Sequence, residues 1–261
     1  MTTLSTVVAA LDAIAPPEEA AEWDNVGLLV GDPSARVTRA LFAIDATAAV
    51  LGEAVRRGCQ LVVSYHPPIF KGERRVLAGG VPFEAVRAGV AIYSPHTALD
   101  VAAGGTSDVL ADALGLRDRA PLEPARGAAA AARGLGLGRI GERAAIERRA
   151  LVDQLRAALG LSHVLVAGPL DGEVTRAAAC AGSAGALALV AAGRGAGLYL
   201  TGELRHHDAL AAARAGMTVV CALHSNSERV ALPSYAARLC AAAPGVEACL
   251  SEEDHDPFVI A

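Results

Sequence analysis

The chain has 261 residues, 53% of them apolar and 20% charged, with a formal net charge of −5. A chain this apolar is not disordered, its 27 glycines follow no collagen period, and its 5 cysteines are too few for a disulfide scaffold. The longest apolar tract, 184–200, is broken by Arg194 and four glycines, which argues against a membrane span, and no basic run exceeds two residues, which argues against a nucleic-acid surface.

Taken in chain order, 5–14 has helical spacing and stops at Pro16-Pro17. Residues 39–44 (RALFAI) read as a buried strand ending in Asp45, 47–57 as a helix closed by Gly58, and 60–64 (QLVVS) as a strand running into Tyr65-His66-Pro67-Pro68. A helix is expected at 81–88, a strand at 90–93 ending in Ser94-Pro95-His96, and a helix at 106–114. The Ala-, Gly- and Arg-rich stretch from 117 to about 132 reads as a linker or surface segment. Beyond it the pattern restarts: helix 145–159, strands 163–167 and 176–179, helix 185–192, strand 198–200, helix 206–215, strand 217–222 and a closing helix 227–241. Strands alternating with ten-residue helices imply an α/β fold with mainly parallel or mixed sheets flanked by helices. Both halves share this texture, so a duplication is conceivable, and the length leaves one large or two small domains open.

The 59 alanines and nine aromatics imply a core of small and aliphatic side chains. Twenty-two arginines stand against one lysine, Lys71. The cysteines are odd in number and lack CxxC spacing; they read as small buried hydrophobes in a reducing cytosol, with a catalytic thiol as the alternative. The N-terminal stretch has no basic leader or cleavage site, so a cytoplasmic protein is expected.

Strand after strand ends in a polar or titratable residue: Asp45, His66, His96, Glu203 and His224. In parallel α/β sheets ligands bind beyond the carboxyl ends of the strands. His96 with Asp100, and His224 with Glu228, are four apart; on a helical turn each pair shares one face and offers an imidazole and a carboxylate to a divalent cation. Taken singly, a strand-end histidine is equally a hydrogen-bond partner of backbone, and an HxxxE pair arises by chance. Asp24-Asn25 reads as a turn or cap, His206-His207 as surface, and His163 and His255 as structural or solvated. The glycine runs lack GK[ST], and no serine sits in GxSxG.

Five stretches in order, AEWDNVGLLVGDP (21–33), LVVSYHPPIFKG (61–72), SPHTALDVAAGGTSDVLADALGL (94–116), LYLTGELRHHDALAAARAGM (198–217) and LHSNSERVALP (223–233), resemble the Nif3-like family, whose members are also described as GTP cyclohydrolase 1 type 2 homologues. The resemblance implies two related α/β domains, 1–122 and 123–261 with a C-terminal segment returning to complete the site, a dinuclear divalent-metal centre at their cleft and a ring-shaped homohexamer; imidazole with carboxylate suits Zn, Fe, Mn, Ni or Co. Its ligands map onto His66, Asp100, His224 and Glu228. At this length the chain looks like the short form, without the mid-chain insertion of longer members. The usual family pattern has two adjacent histidines where this chain has Tyr65-His66, so one imidazole ligand is missing; Ala98 stands where the family often has Asn. A phenol titrating near pH ~10 is a poor ligand at neutral pH unless a metal lowers it.

The reading that follows is a metal-dependent hydrolase opening the imidazole ring of a guanine nucleotide, with Tyr65, His96 and Glu203 as supporting or proton-transfer residues and Lys71 as a phosphate contact. The plainer reading of Lys71, an accidental surface lysine, stands ahead of the phosphate contact. The rivals are a non-catalytic metal-binding or metal-delivery protein and a regulatory scaffold.

Overall fold

In the computed structural model, residues 2–260 are described, and the chain divides into two compact units. The first takes in the chain up to Ala102 together with Ala231 onward, and the second runs from Ala103 to Val230. The boundaries therefore differ from a split near 122, and the first unit is discontinuous. The cause is a strand that sequence reasoning left unassigned, Glu247–Leu250, which pairs in parallel with Arg39–Ala43.

The first unit is built on a five-stranded sheet. Glu247–Leu250, Arg39–Ala43, Leu61–Ser64 and Ala91–Ser94 run parallel in that spatial order, and Gly27–Val30 closes the far edge antiparallel to Ala91–Ser94. The strands Leu61–Ser64 and Ala91–Ser94 are buried at every position, as expected where helices cover both faces. Side chains alternate between those faces. Ala40, Phe42, Leu61, Val63, Ala91 and Tyr93 pack with helices Leu4–Ile14 and Leu232–Ala242. Leu41, Ala43, Val62 and Ile92 pack with Ala48–Arg56 and Val81–Ala88. Thr3 caps Leu4–Ile14 and Thr47 caps Ala48–Arg56, accepting from Thr6 N–H and Val50 N–H.

The second unit repeats the layering on a six-stranded mixed sheet. Glu173–Cys180, Leu198–Thr201 and Thr218–Cys221 are parallel neighbours; Arg139–Glu147 and Leu165–Ala167 flank them antiparallel, with Arg117–Ala120 outermost beside Arg139–Glu147. One face packs on Thr106–Ala113 and Arg148–Ala158, the other on Gly185–Gly193 and His206–Arg214. Alanines 177, 178, 179, 188, 191 and 212 are fully buried, so this core is closed by small side chains.

Three expectations are corrected. The stretch 117–132 is not a linker: it holds strands Arg117–Ala120 and Glu123–Pro124 and helix Ala128–Ala132, followed by the nine-residue strand Arg139–Glu147. Polar composition hid that strand, because Arg139 is buried at 3% exposure and neutralised by Asp108 at 2.6 Å, with Gly136 and Gly138 carbonyls accepting its other N–H groups. Gly141 is there for close approach, since a Cβ would stand 2.4 Å from the Arg117 carbonyl oxygen. Residues 145–147 belong to the strand, so the following helix is Arg148–Ala158. The closing helix is two helices, His224–Arg229 and Leu232–Ala242, because Pro233 has no N–H to continue the ladder.

The C-terminal segment is pinned by Glu53. Its carboxylate accepts from the Ser251 hydroxyl, Arg57 and the backbone N–H groups of Glu252 and Glu253. Burial pushes this carboxyl up, but those donors outweigh it and hold it at about 2, against an ordinary 4.5. Its contribution is therefore present above about pH 4.5 and is lost as pH falls toward 2. Glu53→Gln is expected to cost about 2–3 kcal/mol at pH 7 and almost nothing at pH 2, measured as the wild-type minus variant difference in denaturant unfolding.

Among the described residues no cysteine is in a disulfide, and no helix is long and apolar enough to cross a membrane. Burial pushes the Cys59 thiol up to about 12 and the Cys221 thiol up to about 11, which suits packing rather than nucleophilic attack.

Candidate metal centre

In both units the chemistry-bearing residues follow the carboxyl ends of parallel strands. In the first unit Arg39–Ala43 leads to Asp45, Leu61–Ser64 to Tyr65 and His66, and Ala91–Ser94 to His96 and, a helical turn on, Asp100. In the second, Leu198–Thr201 leads to Glu203 and Thr218–Cys221 to His224 and Glu228.

Three imidazoles share one arrangement. His66 Nδ1 stands 2.9 Å from Asp45, His96 Nδ1 2.7 Å from Asp24, and His224 Nδ1 3.0 Å from Glu203. A carboxylate only accepts, so each Nδ1 carries a proton. This is the arrangement by which carboxylates orient metal-binding histidines.

The first unit's donor set is His66 with Asp100. His66 is 23% exposed on its side chain and sits T-shaped to His96 at 5.4 Å between ring centroids. Tyr65 is fully buried and donates its hydroxyl to Asp100 Oδ1, so the phenol in the place of a second histidine acts as an anchor for the carboxylate. Beside His66 a cavity of about 560 Å³ is lined by Asp45, Thr47, Pro67, Glu253 and Asp256, the last two on the segment that Glu53 pins.

Asp24 does more than cap a turn. Its side chain is fully buried and accepts from Asn25 N–H (2.8 Å), His96 Nδ1, Thr97 N–H (3.1 Å) and the Thr97 hydroxyl (2.5 Å). Burial alone would raise this carboxyl; the His96 and Thr97 hydrogen bonds prevail and hold it below the usual range. The cluster holds His96 at φ 31°, a conformation side chains rarely adopt. Nothing local in the sequence links Asp24 to a histidine 72 positions away.

The second unit's set is His224 with Glu228, on consecutive turns of His224–Arg229. His224 Nε2 lies 3.3 Å from Glu228 Oε1, and Glu228 is only 3% exposed. A carboxylate taken that far from water requires a cationic or hydrogen-bonding environment. Ser227 fastens the turn by accepting from Gly182 N–H at 2.9 Å and donating to the His224 carbonyl at 2.7 Å. Gly202 packs against the same backbone; a Cβ there would stand 2.6 Å from the Gly182 carbonyl oxygen and 2.8 Å from Ser227 Oγ. Leu223 enters the helix at φ 70°, ψ 155°, a region that normally needs glycine, at a cost on the order of 1–3 kcal/mol. Both donor-bearing helices therefore begin on a strained residue, His96 or Leu223.

Of the remaining sequence candidates, His255 lines the cavity beside His66. Lys71 is exposed on the segment after Phe70; His163, His206, His207 and His255 are exposed, with His206 and His207 edge-to-face at 5.4 Å.

A family model described as Duf34/NIF3 (NGG1p interacting factor 3) matches residues 2–257. NIF3-like protein 1 of Drosophila melanogaster is 37% identical over 98% of this chain and 88% of its own length. A GTP cyclohydrolase 1 type 2 homolog of Streptomyces coelicolor is 35% identical over 79% of this chain and 74% of its own. The crystal structure of a Bacillus cereus protein related to NIF3 superposes with a TM-score of 0.91 at 22% identity, covering 100% of this chain and 99% of the other. The ordered motifs, the two layered α/β units and these likenesses together show that the chain belongs to the Duf34/NIF3 family.

Proposed function

We propose that the protein is a divalent-metal-dependent hydrolase of the GTP cyclohydrolase 1 type 2 kind, with His66, Asp100, His224 and Glu228 as the ligands of one or two cations. The observation that supports this best is the set of imidazoles each held through Nδ1 by a carboxylate. The donor types, imidazole nitrogen and carboxylate oxygen, suit Zn, Fe, Mn, Ni or Co.

When bound, a divalent cation supplies a hydroxide-like nucleophile at neutral pH and polarises the bond under attack. The residues do the rest. Glu203 and Asp45 keep the His224 and His66 rings in the required tautomer. Tyr65 fixes the Asp100 carboxylate. His96, its Nδ1 proton committed to Asp24, accepts a proton at Nε2. The guanine imidazole ring is the substrate group: one water adds to the ring carbon and breaks its first C–N bond, leaving a formamide, and a second water breaks the remaining C–N bond and releases formate and a free amine. The family resemblance supports a homohexamer as the working assembly, checked by sedimentation.

Turnover tests the proposal: metal-loaded protein is expected to release formate from GTP, whereas stoichiometric, exchangeable metal with no product contradicts it. That second outcome is the signature of metal delivery, the alternative favoured by Tyr65 in place of a second histidine, since one donor fewer loosens one ion. Lys71 enters as the cation for the triphosphate. Lys71→Ala is expected to weaken GTP binding about tenfold and leave metal content unchanged, by calorimetry and elemental analysis. Unchanged affinity removes Lys71 from the site.

A further inference from the structure

In a chain with nine aromatic residues, the four tyrosines and Phe42 are buried at 0–1% exposure. The single tryptophan is not. Trp23 is 59% exposed and Phe70 44%, and they stand together, ring centroids 5.7 Å apart and planes tilted by 45°. Both turn an edge contact to His96, at 5.9 Å for Trp23 and 6.4 Å for Phe70. We infer that Trp23 and Phe70 form a stacking wall for a planar heteroaromatic ring beside His96.

The exposure of the indole is not slack in the chain. The residues around it are tied down: Asp24 is buried in its four hydrogen bonds, Asn25 Nδ2 donates to the Ile69 carbonyl at 2.5 Å, and Ala21 N–H donates to Thr97 Oγ1 at 2.9 Å. The Asn25 bond fixes the Trp23 segment to the residue immediately before Phe70. So the backbone is rigid and partly buried while two large apolar rings are held in solvent, the reverse of what stability alone selects. Exposed aromatic faces of this kind stack with flat π-systems, and a ring with polar edges suits the neighbouring His96 better than an alkyl chain does. Lys71 directly follows Phe70, which places a cation next in sequence for a charged substituent on the same ligand.

This inference deepens the hydrolase reading and rests on it for what happens to the ring; binding itself needs no metal. Because Trp23 is the only tryptophan, its fluorescence reports the wall directly. Metal-free protein is titrated with guanosine 5′-monophosphate and with ribose 5-phosphate, which carries the same phosphate without the base. Saturable quenching by the first and none by the second is expected. Phe70→Ala, followed by fluorescence, and Trp23→Leu, followed by calorimetry, are each expected to weaken guanosine 5′-monophosphate about tenfold with metal uptake unchanged. Equal responses to both probes, no saturable binding, or unchanged affinity in both variants overturns the inference. So does a change in sedimentation of the variants without a change in affinity, which makes the rings a subunit contact. Quenching that persists in a protein unable to hydrolyse GTP supports the wall and counts only against the hydrolase reading.

Discussion

Replacing His224 by Ala together with Glu228 by Gln is expected to abolish metal uptake, lowering affinity by more than about 100-fold, while the protein still folds. Both side chains sit on one face of His224–Arg229, whose position is held by Ser227 and the Gly182 and Gly202 backbones rather than by the imidazole. Losing the pair therefore removes donors without removing the scaffold. His224 is 38% exposed on its side chain, so its truncation leaves little cavity. Glu203→Gln acts one bond further out: it no longer fixes the Nδ1 proton, and a 10–100-fold loss of affinity is expected. Elemental analysis after dialysis against buffered metal separates the two. Stoichiometric metal retained by the double variant would place the ion elsewhere.

Asp24 carries the second large effect. Asp24→Ala is expected to cost about 2–4 kcal/mol, because it leaves the Thr97 N–H and hydroxyl, the Asn25 N–H and His96 Nδ1 without their acceptor in a buried place. Asp24→Asn keeps the volume but exchanges one acceptor for an NH2 donor, which must face two of the four donors, since each Asp24 oxygen accepts from two. Either Thr97 loses its cap or the His96 proton moves to Nε2. Nitrogen chemical shifts of the His96 ring read the tautomer directly: Nδ1–H in the wild type, and a rise in Nε2–H in Asp24→Asn, with a lower unfolding midpoint. An unchanged tautomer and unchanged stability would show that Asp24 does neither job.

The parallel strands and their flanking helices were legible because alternating burial on both sheet faces leaves short apolar runs closed by turns, as in 61–64 and 91–94. Among the strands that escaped, three show why. Gly27–Val30 and Glu247–Leu250 lie at sheet edges and are only partly buried, so their apolar signal is weak. Arg139–Glu147 carries charges that pair across the sheet or with a neighbouring helix, such as Glu142 with Arg176 and Arg139 with Asp108. The unit boundaries were hidden for the same reason as the edge strand that sets them. At the site, His224 and Glu228 were legible from their spacing, since a helical turn brings i and i+4 together. His96 and Asp100 share that spacing, yet each has a partner from elsewhere in its unit, Asp24 and Tyr65. The three carboxylates that orient the imidazoles lie 21 to 72 positions from their histidines, a distance no local pattern reports.

The account depends on four side chains, His66, Asp100, His224 and Glu228, closing on a common cation. Anomalous scattering recorded at the absorption edge of the metal found by elemental analysis, on crystals of metal-loaded protein, tests this most directly. The account predicts a peak within about 2.0–2.5 Å of His66 Nε2, His224 Nε2 and the Asp100 or Glu228 carboxylate oxygens. A peak at His206 and His207 instead, or four side chains too far apart to share an ion, would contradict it.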